Sequence, residues 1–182
     1  MKFTDAPIAG VVLIEPQLFG DARGFFMETY QGQKFKAAGI DADFVQDNHS
    51  RSSQWTLRGL HLQVEHTQGK LVRVTQGSVF DVIVDLRRSS KTFGASWGVE
   101  LSEANHRLLW VPPGLAHGIL ITSESADFLY KCTDFYSPQH ERTLAWNDAS
   151  LAIRWPLPAG VEPKLSVKDA KGASFAEIEK FA

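Results

Sequence analysis

Short apolar runs, several of them alternating with polar positions, fill most of the chain and are closed off by Gly, Pro, Asn, Asp or Ser. Alternation with period two predicts strands with one buried face. Such runs lie at 10–16, 24–30, 43–50, 56–63, 70–86, 96–102, 107–113, 117–123, 126–136 and 151–156. Gly77-Ser78 divides the longest of them and reads as a two-residue hairpin turn. Helical periodicity is thin. Residues 32–39 fit two turns ended by Gly39, and 174–181 fit a C-terminal helix capped by Ser174. No repeat or linker-like stretch divides the chain, so one domain over 1–182 is expected. Many short strands with few helices predict an all-β sandwich or barrel.

The segment VPPGLAH (111–117) places two prolines and a glycine before a strand that starts at His117. A PxGxxH turn of this kind resembles an element of cupin-type double-stranded β-helices, and the expected fold is a jelly roll with a few short helices.

The stretch TLRGLHLQ (56–63) is unusual for a core strand. Leu60 and Leu62 share one parity with Arg58, while Gly59, His61 and Gln63 occupy the other. Cupin metal sites use two histidines one residue apart, but here the second position is Gln63, a poor transition-metal ligand beside imidazole. A set of His61, Glu65 and His117 is the residual metal alternative; no metal is expected. Without one, His61 suits proton transfer, since a free imidazole titrates near pH ~6.5. A base of this kind needs an orienting carboxylate. Asp81, Asp85, Glu103 and Asp169 are candidates that spacing alone does not separate. Lys70, at the start of the next strand, could stabilise an enolate oxygen. Tyr130 shares a strand face with Phe128 and Cys132.

Upstream, Arg23 falls in a turn, Phe26 and Glu28 share a strand face, and Gln46, Asp47 and Asn48 end a strand. Arginines grip phosphates, amides read base edges and aromatic rings stack on bases. Arg23, Phe26, Asn48 and Arg58 together suit a nucleotide diphosphate. Overall charge adds nothing to this, because 19 basic against 21 acidic residues give a net charge of −2, with no field to draw nucleic acid or a membrane surface. The single Cys132 forms no intrachain disulfide, and no stretch approaches the ~18 apolar residues of a membrane span. A cytoplasmic protein without nucleic-acid or membrane partners is expected.

Taken in order, EPQLFGDARGFFMETY, FVQDNHS, LRGLHLQ, QGKLVRV, GSVFDVIVDLR, LWVPPGLAHG, FLYKCTDFYSP, WND and SVKDA resemble the dTDP-4-dehydrorhamnose 3,5-epimerase family, over about residues 10–170. The resemblance implies a homodimeric jelly roll that inverts C3 and C5 of dTDP-4-dehydro-6-deoxy-D-glucose without a cofactor. It implies His61 as base, Asp169 as its orienting carboxylate, Tyr130 as the acid on the opposite sugar face and Lys70 at the C4 oxygen. It further implies substrate contacts by Arg23, Glu28, Gln46, Asn48, Arg58, His117, Glu141 and Lys168, with Arg23 and Glu28 serving the neighbouring subunit's pocket. A single-centre epimerase of another dTDP-4-keto-deoxysugar is the nearest alternative. A metal-dependent cupin and a non-catalytic sugar-nucleotide-binding module stand further off.

Overall fold

A computed structural model describes all residues, 1–182. Thirteen strands form three antiparallel sheets. The six-stranded sheet has the order β1 (Lys2–Asp5), β2 (Val12–Glu15), β10 (Leu108–Val111), β7 (Lys70–Gln76), β12 (Ser125–Cys132), β5 (Gln46–Ser53). The five-stranded sheet runs β13 (Glu141–Thr143), β6 (Leu57–Gln63), β11 (Leu115–Ile121), β8 (Ser78–Asp85), β9 (Ser96–Ser102). A separate hairpin joins β3 (Leu18–Asp21) to β4 (Gly24–Met27). The sole α-helix, α1, spans Gly32–Ala37. Gly39, at φ +83°, follows it as the sequence suggests.

The two large sheets share one core. Val72, Val74, Leu109 and Phe128 from the first pack with Val79, Ile83, Ile119 and Ile121 from the second. This is the jelly-roll sandwich. The outer face of the five-stranded sheet is covered by the chain after β13, through Leu144, Leu151 and Ile178 against Leu60, Leu62, Val82 and Val84. With both faces buried, β8 and β11 need no polar side, which is why VFDVIVD and LAHGILI lack alternation. α1 covers part of the six-stranded sheet through Phe35.

Several expectations are corrected. β7 and β8 do not pair across Gly77-Ser78; they lie in different sheets. Gly77, at φ +73°, is the corner between sheets, where an added Cβ would lie 2.0 Å from the Ser125 carbonyl oxygen. Residues 151–156 form no strand; Leu151, Ile153 and Trp155 instead pack on the sheet from a loop. No C-terminal helix forms: Glu177 accepts from the Ser174 N–H and hydroxyl, as in a capping box, but the chain makes only a single turn there. Burial of Ile178 and a bridge from Phe181 to Arg87 pull the chain into extended form. His117 is the third residue of β11, not its first, and Gln46 to Asn48 open β5 instead of ending a strand.

Asp85, at the end of β8, is fully buried and accepts from Arg87, Ser90 and Thr92. Burial opposes its charge; those hydrogen bonds outweigh the penalty and hold the carboxyl at a pKa of about 2. Asp85→Ala strands the half-buried Arg87 and should lower the unfolding free energy by about 3–5 kcal/mol in urea at neutral pH. Because the native pKa lies below the unfolded value of ~3.9, this stabilisation is complete above pH ~4 and is lost as pH falls toward 2. The gap between variant and wild type should therefore close over that window.

Candidate active site

The interior of the sandwich opens into a cavity of about 390 Å³. One irregularity in β6 decides what lines it. β11 pairs His117 with His61 and then Ile119 with Arg58, so three residues of β6 oppose two of β11. This bulge moves Arg58 from the leucine face, where strict alternation puts it, to the face of His61. Both side chains line the cavity. Gly59 permits the bulge: at φ +116°, its added Cβ would lie 2.7 Å from both Gly118 Cα and the His117 carbonyl oxygen. The close approach that requires glycine there is therefore to β11.

His61 Nε2 donates to Asp169 Oδ1 at 2.6 Å, joining residues 108 apart in sequence. Asp169 sits in a one-turn 3₁₀ segment, Asp169–Lys171, and is 4% exposed. Its Oδ1 also accepts the Gly59 N–H at 3.1 Å, and its Oδ2 accepts the Ser166 hydroxyl at 2.6 Å. Burial raises its pKa, but the hydrogen bonds from His61 and Ser166, the His61 charge and the Gly59 N–H prevail and bring it to about 2. The carboxylate thus stays ionised and commits the Nε2 proton to itself, leaving Nδ1 as the free basic nitrogen.

Across the cavity, Tyr130 projects from β12 and Lys70 from β7, both in the six-stranded sheet. Burial pushes the Tyr130 phenol above its ordinary pKa, reinforced by the Glu141 charge and opposed by Arg58. The phenol therefore keeps its proton at neutral pH. Burial lowers the Lys70 pKa, while the charges of Glu141 and Asp81 act to keep it protonated. At the mouth, Glu141 accepts from Lys168 Nζ at 2.8 Å and from the Tyr136 hydroxyl at 2.9 Å. Gln46 and Asn48 lie on the β5 wall, joined by Gln46 Nε2 donating to Asn48 Oδ1 at 3.0 Å.

His61, Lys70, Tyr130, Gln46, Asn48, Arg58, His117, Glu141 and Lys168 thus line one cavity, with Asp169 behind His61. Arg23, Phe26 and Glu28 do not line it. Arg23 pairs with Asp21 at the tip of the β3–β4 hairpin, Phe26 is exposed on β4, and Glu28 pairs with Lys34. Among the other carboxylates considered for His61, Asp81 belongs to His117, with both oxygens 2.9 Å from its Nε2. Asp85 serves Arg87, and Glu103 is exposed. The alternative metal set does not converge: His61 and His117 turn to separate carboxylates, Glu65 faces His140, and no three His, Cys, Asp or Glu side chains are placed around an ion. Tyr136, Gln68 and Ser166 escaped the sequence reading: β12 ends at Cys132, which leaves Tyr136 on a loop and not in the strand expected over 126–136, Gln68 also lies on a loop, and Ser166 acts from behind Asp169.

A cupin-type jelly roll with a His–Asp pair facing a protonated tyrosine and a partly buried lysine is an enzyme scaffold suited to proton transfer. A sequence profile of the family described as dTDP-4-dehydrorhamnose 3,5-epimerase matches residues 5–177, and the chain belongs to that family. It is 54% identical over 182 residues to the dTDP-4-dehydrorhamnose 3,5-epimerase of Pseudomonas aeruginosa, covering 100% of this chain and 99% of that one. The crystal structure of dTDP-6-deoxy-D-glucose-3,5-epimerase from Legionella pneumophila, in complex with dTDP-4-keto-L-rhamnose, superposes with a TM-score of 0.93 at 47% identity, covering 98% of this chain and 94% of that one. A 3'-monoepimerase from Streptomyces bikiniensis, in complex with dTDP-quinovose, shares the fold at 30% identity with a TM-score of 0.87, covering 94% and 86%.

Proposed function

We propose that the chain epimerises dTDP-4-dehydro-6-deoxy-D-glucose at C3 and C5 to dTDP-4-dehydro-L-rhamnose, the step that feeds dTDP-L-rhamnose synthesis. The observation that carries this reading is the placement of base and acid on opposite sheets: His61 on β6 and Tyr130 on β12 face one cavity from two walls. Inversion requires a proton to leave one face of a carbon and another to arrive on the other face. His61 Nδ1 takes the proton from the carbon beside the C4 ketone, and the C–H electron pair moves into an enolate. Asp169 stabilises the imidazolium that forms. Lys70 supports the negative charge on the C4 oxygen, and desolvation strengthens that contact. Tyr130 then delivers its proton to the opposite face, and solvent restores both groups. The ketone itself serves as electron sink. Arg58 and Lys168 supply positive charge for the diphosphate. The relatives' names and the bound dTDP-4-keto-L-rhamnose of the Legionella protein support this substrate class.

The test is NMR of the substrate with protein in D2O. Deuterium entering at both C3 and C5, with the L-lyxo product trapped by a reductase, is the expected result. Exchange at one carbon only would make the chain a single-centre epimerase like the Streptomyces bikiniensis relative. No exchange at either carbon would end the epimerase reading.

The same reading places residues 1–182 as one domain, acting in the cytoplasm as a homodimer; no helix is long and apolar enough to cross a membrane. The β3–β4 hairpin exposes Phe19 and Phe26 on one face and Leu18 and Phe25 on the other, apolar surface suited to burial against a second copy. Seated there, Arg23 and Phe26 would enter the partner's cavity, with Glu28 close behind. Arg23→Ala and His61→Ala chains should each be nearly inactive alone. After unfolding and co-refolding, half the dimers are mixed and each has one intact site, so activity should return to about one quarter of wild type. No recovery would mean that the hairpin serves its own chain.

A further inference from the structure

Gln63 lines the cavity two residues after His61, yet its amide is not free to meet a substrate. It is 6% exposed and fully engaged. Its Oε1 accepts the Ser137 N–H at 2.9 Å, and its Nε2 donates to the carbonyls of Phe135 at 3.2 Å and His66 at 2.7 Å. The residue between Phe135 and Ser137 is Tyr136, whose own N–H donates to Gln46 Oε1 at 3.0 Å. Two glutamines from different sheets therefore hold consecutive backbone groups of a loop that has no strand partner there. Tyr136 carries an exposed ring that lines the cavity mouth, with its hydroxyl on Glu141.

We propose that Gln63 is a positioning residue for nucleotide-sugar binding, clamping the backbone on both sides of Tyr136 so that this ring stays at the mouth of the cavity. Proton transfer does not pass through it, because both of its N–H groups are held by backbone carbonyls and a carboxamide is neither an acid nor a base at neutral pH. The turnover part of the test rests on the proposed epimerase activity; a second part does not.

Gln63→Met keeps length and volume and removes all three hydrogen bonds. KM should rise about 10-fold with kcat changed less than about 3-fold, the mark of lost ground-state binding. In a Tyr136→Ala background the same substitution should add less than about 2-fold, because a residue acting through Tyr136 has nothing left to act on. An equal rise in both backgrounds, or a fall in kcat at constant KM, would overturn the proposal. Should Gln63→Met fail to fold, Gln63→Glu retains the acceptor for Ser137 but sets a carboxylate oxygen against the Phe135 and His66 carbonyls, and a rise in KM at least as large is expected; unchanged KM would again overturn it. Independently, the three tyrosines can be labelled with 3-fluorotyrosine and resolved by fluorine NMR. The Tyr136 resonance should shift and broaden in the Gln63 variant while those of Tyr30 and Tyr130 stay put. An unmoved Tyr136 signal would refute the clamp. A wild-type protein without turnover would defeat the epimerase reading and the binding role together, and the fluorine spectrum would still tell whether Gln63 holds Tyr136.

Discussion

His61→Gln should lower kcat by about 10³–10⁴-fold and abolish deuterium entry at both C3 and C5. Glutamine places an N–H near the former Nε2, so the bond to Asp169 can persist and the site stays assembled. What disappears is the lone pair on Nδ1. A thermal midpoint within a few degrees of wild type, together with lost exchange, would isolate the missing base as the cause. Turnover within about 10-fold of wild type would remove His61 from the mechanism. The pH profile separates His61 from its partner. Asp169 has a pKa of about 2 in the folded chain, so it remains ionised far below the range in which the enzyme is assayed. Its contribution is present above the ordinary carboxylate range and fails only as pH falls toward 2. An acid limb of the rate between pH ~5 and ~7 therefore belongs to a group other than Asp169.

The strands were legible because turn residues interrupt them, and the helix α1 because Gly39 ends it. What alternation could not convey was which sheet each strand joins. Gly77 looks the same in a hairpin turn and in a corner between sheets; only the tertiary crowding at the Ser125 carbonyl oxygen tells them apart. Parity misplaced Arg58 for a similar reason. The bulge opposite Ile119 and His117 depends on Gly59 meeting Gly118, a contact between strands far apart in sequence. The carboxylate of His61 lay beyond spacing arguments altogether, since Asp169 comes from a loop 108 residues away; motif resemblance reached it where periodicity could not. Resemblance likewise singled out His117, which lines the cavity, but did not name Asp81 as its partner. The C-terminal segment shows the limit of local chemistry: Glu177 reaches back to Ser174 as in a capping box, yet burial of Ile178 and pairing of Phe181 outweigh propensity.

Tyr130→Phe should separate two events that wild-type turnover couples. With His61, Asp169 and Lys70 intact, the carbon acid is still deprotonated, and the enolate still forms. The imidazolium exchanges its proton with solvent, because the His61 side chain is 23% exposed rather than sealed. Deuterium therefore continues to enter the substrate from the face it left, and the exchange rate should stay within about 10-fold of wild type. Inversion needs a donor on the other wall, and phenylalanine offers none. Formation of the L-lyxo product should accordingly fall at least about 100-fold, the usual contribution of a positioned acid. Loss of the hydroxyl alone is a small packing change beside Phe128, whose ring lies 5.8 Å away, so the fold should survive. Product formation at near-wild-type rate would show that another group protonates the second face. Loss of exchange together with inversion would place Tyr130 in enolate formation instead. Only exchange without inversion matches a base on one sheet and an acid on the other.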